Sequence, residues 1–564
     1  MRQSSKGKAL MKRRSALALA GVLALAGCNA NPDVTPDAGG STGGTEKGGT
    51  LTILSAASDI NFDPAKSQNL AITTLGLVLR RLTTWEVQPG KAAQVVPDLA
   101  TDTGRTTDGG KTWTFTLKDG LKYSDGAPIT AGDVKYGIER SFAPELSGGL
   151  GYHKSLLAGG TEYKGPYSGA DLASIETPDA KTLVFHLKTA YGDWPWIASM
   201  PAFAPVPKAK DDPKKYSQNP VSSGPYQVES YQQGVSVKLS RNPNWDAATD
   251  QVRTAGPDSV VFQLGQDTTV QSQRLIADSG DDRSAFGAGF VAPAQLAQIE
   301  QNAGAKQRLV TSDAGALSYL ALNTQRGPLK DVKVRQAIQY AVDKRAYQVA
   351  SGGAIGGDLA STLITPGIPG RVDYNLYPAE PSGDVAKARQ LLTEAGQTSL
   401  NLTLLSENDQ PTLAKSQAIQ QGLQRVGITV TIKPVDDDAW TAEVTGDKGD
   451  YDLTVASWQP DFPSANGNIQ PLFASTEIGG GGYNIARYRQ PEVDTLIGQA
   501  TAETDPTKAQ ALWAQADKRI LQDAPIVPLT YTKNSFLRGS KVRNFFVPAF
   551  PAYPNYLKVS LKQG

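Results

Sequence analysis

Residues 108–140 read DGGKTWTFTLKDGLKYSDGAPITAGDVKYGIER, and in this run turn, strand and helix signals follow one another without a gap. Asp108-Gly109-Gly110 is a turn. From Lys111 to Leu117 apolar and polar residues alternate, so Trp113, Phe115 and Leu117 face one way from a strand. Asp119-Gly120 and Asp125-Gly126 are further turns. Thr130 then caps a helix whose early turns carry Asp133, with Val134, Ile138 and Phe142 as its apolar positions.

Outward from this block, Thr50 to Ser55 reads as a strand and Asn69 to Leu82 as a helix, with Leu75, Leu79 and Leu82 on one face. Thr182 to Leu187 and Gly224 to Leu239 are β-rich, the latter with Gly234 in its turn. Tyr319 to Asn323 is a short strand, and Asp331 caps a helix striped by Val334, Ala337, Ile338, Ala341 and Val342. Leu400 to Leu405, Thr412 to Val426, Ile428 to Val435 and Tyr451 to Ser457 alternate as strand, helix, strand and strand, so this region is α/β. A last helix, Thr507 to Leu521, precedes Ala524 to Leu529.

The 564 residues are 39% hydrophobic, enough for folded domains and too many for one core. A net charge of +1 gives no electrostatic reason for a nucleic-acid partner. One cysteine cannot form an intrachain disulfide. Two histidines, His153 and His186, each expected on a solvated surface or strand, leave few ligands for zinc, nickel or haem, so no metal and no cofactor is expected. Three motif matches fail on context. Gly39-Gly-Ser41-Thr-Gly43 has no strand before it, Gly110-Lys111-Thr112 lacks the phosphate-loop glycine where Arg105 stands, and Gly287 to Ala292 follows no buried strand.

Six basic residues between Arg2 and Arg14 precede an uncharged run, Ser15 to Gly27, too short to span a bilayer. Its end, Leu25-Ala-Gly-Cys28, resembles the lipobox of bacterial lipoproteins, which implies cleavage before Cys28 and diacylation of its thiol. Residues 1–27 are then a leader, and the chain from Cys28 onward carries 50 basic against 55 acidic residues, a charge of −5. Asn29 to Gly49 is rich in Gly, Pro, Asp and Thr, so 28–49 reads as a flexible tether.

The 108–140 block, Ser223-Gly-Pro-Tyr226 with Arg241-Asn-Pro243, Leu320-Ala-Leu-Asn-Thr324 with Asp331-Val-Lys-Val-Arg-Gln-Ala337, Tyr451-Asp452 with Trp458, and Ala524-Pro-Ile-Val-Pro528 occur in order along the chain. Together they resemble family 5 of the extracytoplasmic solute-binding proteins, which serve dipeptide, oligopeptide and nickel ATP-binding-cassette importers. The resemblance implies an α/β fold of the periplasmic-binding-protein type, with two lobes on a hinge and an inserted α+β domain. Domain I is expected from 50–85, 223–320 and 529–564, domain II from 86–222, and domain III from 321–528. It also implies a monomeric, lipid-anchored receptor on the extracytoplasmic face of the cell membrane, without enzymatic activity, that closes on a peptide and passes it to permease subunits.

The resemblance further implies an amine site at Asp461, which follows Trp458 at the spacing seen in peptide binders; as residues alone, Asp461 beside Phe462-Pro463 also suits a turn. Trp458 could wall the cleft or fill core, and Asn323 could contact a ligand backbone or serve a turn or hinge. The ligand-binding set expected is therefore Asp461, Trp458, Phe462 and Asn323. Leu453 to Ser457 lacks the arginine that can meet a peptide carboxylate in this family, which leaves that end of the ligand unassigned. An oligosaccharide receptor on the same fold remains an alternative, given 8 Trp and 20 Tyr, and a secreted hydrolase a distant one.

Overall fold

The computed structural model of the protein describes residues 46–397 and 399–563. The leader, Cys28 and the tether as far as residue 45 lie outside them. Residues 46–49, expected at the tether's end, are pinned to the body. Gly48 N donates to Gly256 O at 3.0 Å, and Gln563 N donates to the Glu46 carboxylate at 2.8 Å.

The 108–140 block folds as its residues dictate. One Asp108 oxygen accepts from the amides of Lys111 and Thr112, which closes the turn before the strand Thr112–Thr116. Trp113 and Phe115 are buried, and the strand pairs antiparallel with Thr182–His186. The helix Ala131–Arg140 opens on a reciprocal capping box, with Thr130 Oγ1 accepting from Asp133 N and the Asp133 carboxylate accepting from Thr130 N.

The helix expected over 69–82 shrinks to Thr74–Val78. Leu75, Leu79 and Leu82 are all buried, but Leu79 is already extended and the strand Thr83–Glu86 starts soon after. What stops the helix lies between these elements, at Arg80 and Arg81.

Both side chains are buried. Arg80 Nε meets Asp98 Oδ1 at 2.7 Å, Arg253 Nη2 meets Asp98 Oδ2 at 2.9 Å, and Arg81 N donates to Asp98 Oδ2 at 3.1 Å. Arg253 also bonds Asp250 at 3.1 Å and the Gly76 carbonyl at 2.6 Å. Against the cost of its burial, Arg253 and Arg80 hold the Asp250 carboxyl down to about 2. Burial, then the Arg253 charge, brings Arg81 down to about 9. A second buried pair, Arg140 bidentate on Asp63 at 2.9 and 3.0 Å, ties the capped helix to the segment after the first strand.

Two large sheets carry the rest. In the five-stranded sheet, Thr50–Leu54 lies between Ala285–Gly287 and Ser259–Gln263, parallel to both, and the hairpin Tyr226–Gln232/Ser236–Arg241 completes it. The six-stranded sheet runs in the order Gly357–Leu359, Ile526–Thr532, Leu317–Leu322, Leu453–Trp458, Leu400–Glu407, Ile428–Val435. Its central strand Leu317–Leu322 is buried along its whole length.

The boundaries expected at 320/321 and 528/529 fall inside continuous strands of this one sheet. The chain leaves the sheet instead at 312–316 and 533–534, where the two crossings are bonded side by side: Thr532 N to Ala316 O and Ser312 N to Asn534 O, both 2.8 Å. No helix among the described residues is long and apolar enough to cross a membrane.

Replacing Asp98 by Asn removes one of the two carboxylates shared by the buried Arg80 and Arg253 and leaves them only Asp250. Breaking such a pair costs about 3–5 kcal/mol, whereas an exposed pair such as Lys238–Glu229 is worth about 1 kcal/mol or less. Thermal unfolding of Asp98→Asn should therefore fall well below wild type while Lys238→Ala stays near it; equal shifts in the two variants would refute this ranking.

Candidate ligand-binding site

The strand Leu453–Trp458 lies inside the six-stranded sheet, and the helix Ala465–Phe473 begins a few residues after its end, capped by Ser464 Oγ on Asn466 N. The turn between them carries Asp461. It is held close to the helix because Gly467 packs on Pro460, where a Cβ would come within 2.6 Å of the proline ring, and because Trp458 Nε1 donates to Gly467 O at 2.7 Å.

Asp461 is half-buried, and among the described residues no lysine, arginine or histidine pairs with it. Among the described residues its one side-chain partner is Tyr152, whose hydroxyl donates to Oδ2 at 2.6 Å from a part of the chain 309 residues away. Burial first, then the Asp461 charge, raises the Tyr152 phenol well above its usual pKa, so it stays a neutral donor. The Tyr152 ring stands edge-on to Phe462 with centroids 5.6 Å apart. Phe462 is itself buried, so it supports Tyr152 from within the core.

Trp458 is half-buried, with its ring centroid 5.2 Å from that of Tyr483, which is 45% exposed. Gln459 donates from Nε2 to the Pro551 carbonyl, across to the segment that follows the second crossing. The site thus gathers a carboxylate without a cation, a neutral phenol donor and an open pair of aromatic rings.

Asn323 is not part of this group. It is fully buried, its Nδ2 donates to Gly449 O and Tyr451 O, both at 3.0 Å, and its Oδ1 accepts from Gln325 N. Both amide hydrogens are spent on backbone, which corrects the expected ligand contact to a stitch between chain segments. The expected exposure of His153 is also corrected. It is buried between the edges of Phe142 and Phe203, 2.7 Å from Ser141 Oγ, and burial followed by the Lys154 charge lowers it to about 3. Among the described residues no group of three His, Cys, Asp or Glu could hold a metal ion.

The far side of the turn is clamped. Ser464 Oγ donates to Asp193 Oδ2 at 2.7 Å, Asn466 Nδ2 to Tyr191 OH at 3.1 Å, and Gly192 N to Thr501 O at 2.7 Å. Burial pushes the Asp193 carboxyl up to about 6. Tyr152, Tyr191 and Asp193 were not legible as site neighbours, because nothing local links them to residue 461. Tyr483 does carry a local signal, since it follows the run Gly479 to Gly482 and a glycine loop ending on an aromatic presents that ring to solvent.

The family model for bacterial extracellular solute-binding proteins, family 5 middle, matches residues 94–480. The chain belongs to that family. Among curated relatives, the glutathione-binding protein GsiB of Salmonella paratyphi A is 28% identical over 454 residues, 78% of this chain and 81% of that one. The probable D,D-dipeptide-binding periplasmic protein DdpA of Escherichia coli K12 is 26% identical over 508 residues, covering 88% and 91%. Among solved structures, the clavulanic acid biosynthesis oligopeptide binding protein 2 superposes with a TM-score of 0.82 at 32% identity, covering 92% of this chain and 96% of that one. As a family 5 solute-binding protein, the chain has the mixed α/β, two-lobed fold of its relatives, and the Asp461 turn lies within the matched residues.

Replacing Asn323 by Ala should lower stability by about 1–3 kcal/mol, the cost of leaving buried carbonyls unpaired, without changing ligand affinity of the folded protein. Calorimetry beside a denaturation curve separates the two effects. A loss of affinity with unchanged stability would restore Asn323 to the ligand.

Proposed function

We propose that this solute-binding protein captures peptides with a free α-amine, places that amine on Asp461, and delivers the ligand to the membrane subunits of an ATP-binding-cassette importer. The observation that carries the reading is the half-buried Asp461 carboxylate, hydrogen-bonded by the neutral Tyr152 and facing no cation of its own among the described residues. An ammonium group would add the charge and the donors that the site lacks, and a desolvated pair of this kind is favourable when both partners are also hydrogen-bonded. The printed names of the relatives, binders of glutathione, a dipeptide and oligopeptides, support a peptide as the ligand.

The two bonded crossings at 312–316 and 533–534 are the hinge on which the lobes close, with Gln459 reaching Pro551 across the gap. The protein works as a monomer, without catalysis, tethered to the extracytoplasmic face of the membrane through a lipid on Cys28. An oligosaccharide is the second reading, favoured by the open Trp458–Tyr483 pair, which offers ring faces of the kind sugars stack on.

The leaderless chain is purified, its retained ligand identified by native mass spectrometry, and a mixed peptide library titrated by calorimetry. Free-amine peptides should bind wild type at least about tenfold more tightly than their N-acetylated forms, and Asp461→Asn should erase that difference, since a charge-assisted hydrogen bond is worth about 1.5–3 kcal/mol. Equal binding of acetylated and free peptides overturns the amine site; a copurified sugar favours the second reading.

For the anchor, Cys28→Ser should move the protein from the membrane fraction to the medium and abolish palmitate labelling. An unchanged distribution would sink that part of the proposal.

A further inference from the structure

A cavity of about 720 Å³ touches the Asp461 turn at Pro463, Ser464 and Ala465 but at none of residues 458–462, so it is a separate space from the site above. Its volume falls in the range of small-molecule pockets, roughly 300–1,000 Å³. Its walls come from four distant stretches of chain: 92–113, 192–196, 369–370 and 503–513.

Three indoles line it, Trp113, Trp196 and Trp513. Trp113 gives its N–H to Gly110 O at 3.1 Å, so that what it can offer a ligand is ring and not donor. The charged side chains in the wall are Asp193 and Glu503, and no lysine, arginine or histidine is among the lining residues. Asp193 spends Oδ2 on the Ser464 hydroxyl and Glu503 spends Oε1 on the Asp505 amide at 2.8 Å. Neither carboxylate makes an ion pair among the described residues.

We propose that this cavity is a second ligand site, for a small organic cation whose ammonium or guanidinium head lies between Asp193 and Glu503 and whose body packs on the half-buried Trp196 ring, with the buried Trp113 and Trp513 behind it. Aromatic faces attract cations through their quadrupole, and half-buried carboxylates without a counter-ion, as Asp193 and Glu503 are, favour an incoming positive charge. Burial raises the Asp193 carboxyl to about 6, consistent with a carboxylate short of compensating charge. A neutral sugar would also stack on indoles but would leave both carboxylates uncompensated. The inference is independent of the peptide reading, since it rests on none of the residues 458–462.

The test uses the whole leaderless chain, with benzylammonium as probe and benzyl alcohol and methyl glucoside as neutral controls. Tryptophan fluorescence and calorimetry follow the titration. In the Asp461→Asn background, where the proposed amine site is silent, benzylammonium should still saturate and bind about tenfold or more tightly than either control, and adding Asp193→Asn or Glu503→Gln should each weaken it about tenfold. Glu503→Gln sits at a half-buried position and keeps the test decisive if Asp193→Asn disturbs the Ser464 contact. Absence of saturation up to about 10 mM, equal or tighter binding of a neutral control, or loss of binding in Asp461→Asn would each overturn the second site.

Discussion

The buried Asp98 carboxylate is the constraint on which the rest of the arrangement hangs. It takes the Arg80 and Arg253 guanidinium groups and the Arg81 amide at once. These four residues come from three stretches of chain: the end of the first short helix, the exit of the hairpin Thr83–Glu86/Gln94–Pro97, and a loop more than 150 residues later. A carboxylate taken out of water is tolerable only when it is paired and fully hydrogen-bonded, so each stretch must arrive in register or the whole cluster becomes unfavourable. Burial of Arg140 against Asp63 applies the same logic to the capped helix. The helical pattern over 69–82 yields to this demand, because a continued helix could not deliver the Arg80 side chain and the Arg81 amide together to Asp98.

On that frame, the candidate site is assembled from a rigid part and a remote part. The rigid part is a strand ending, a short proline-bounded turn and a capped helix, which together fix Asp461 without loop freedom. The remote part is Tyr152, braced on Phe462 and pointing its hydroxyl at the carboxylate. The Asp461 carboxylate is therefore held by its own turn and met by a donor from a distant part of the chain.

What could be read from the sequence was what is decided locally. The Asp108 turn, the alternation of Trp113 and Phe115, the Thr130/Asp133 box and the Asp331 cap each involve residues within a few positions of one another, and all are where the pattern put them. The grouping of Trp458, Asp461 and Phe462 rests on the family resemblance, and the three are near neighbours in the sequence. The surface position expected for His153 and the helix expected over 69–82 depart from the structure for one reason: their surroundings come from segments far away in the chain. Asn323 is claimed by carbonyls 126 and 128 residues on, and Tyr152 finds Asp461 across 309. No local period carries such information.

The position of Thr50–Leu54 has a consequence for how the protein comes into being. This first strand sits between Ser259–Gln263 and Ala285–Gly287, and the residues just before it are tied to Gln563. During synthesis it emerges with neither neighbour made, and more than two hundred further residues must be added before its sheet can close. Contacts so distant along the chain form slowly. The order of strands thus keeps this sheet open through about the first half of synthesis, the state a polypeptide needs if it is to be threaded through a membrane before it folds.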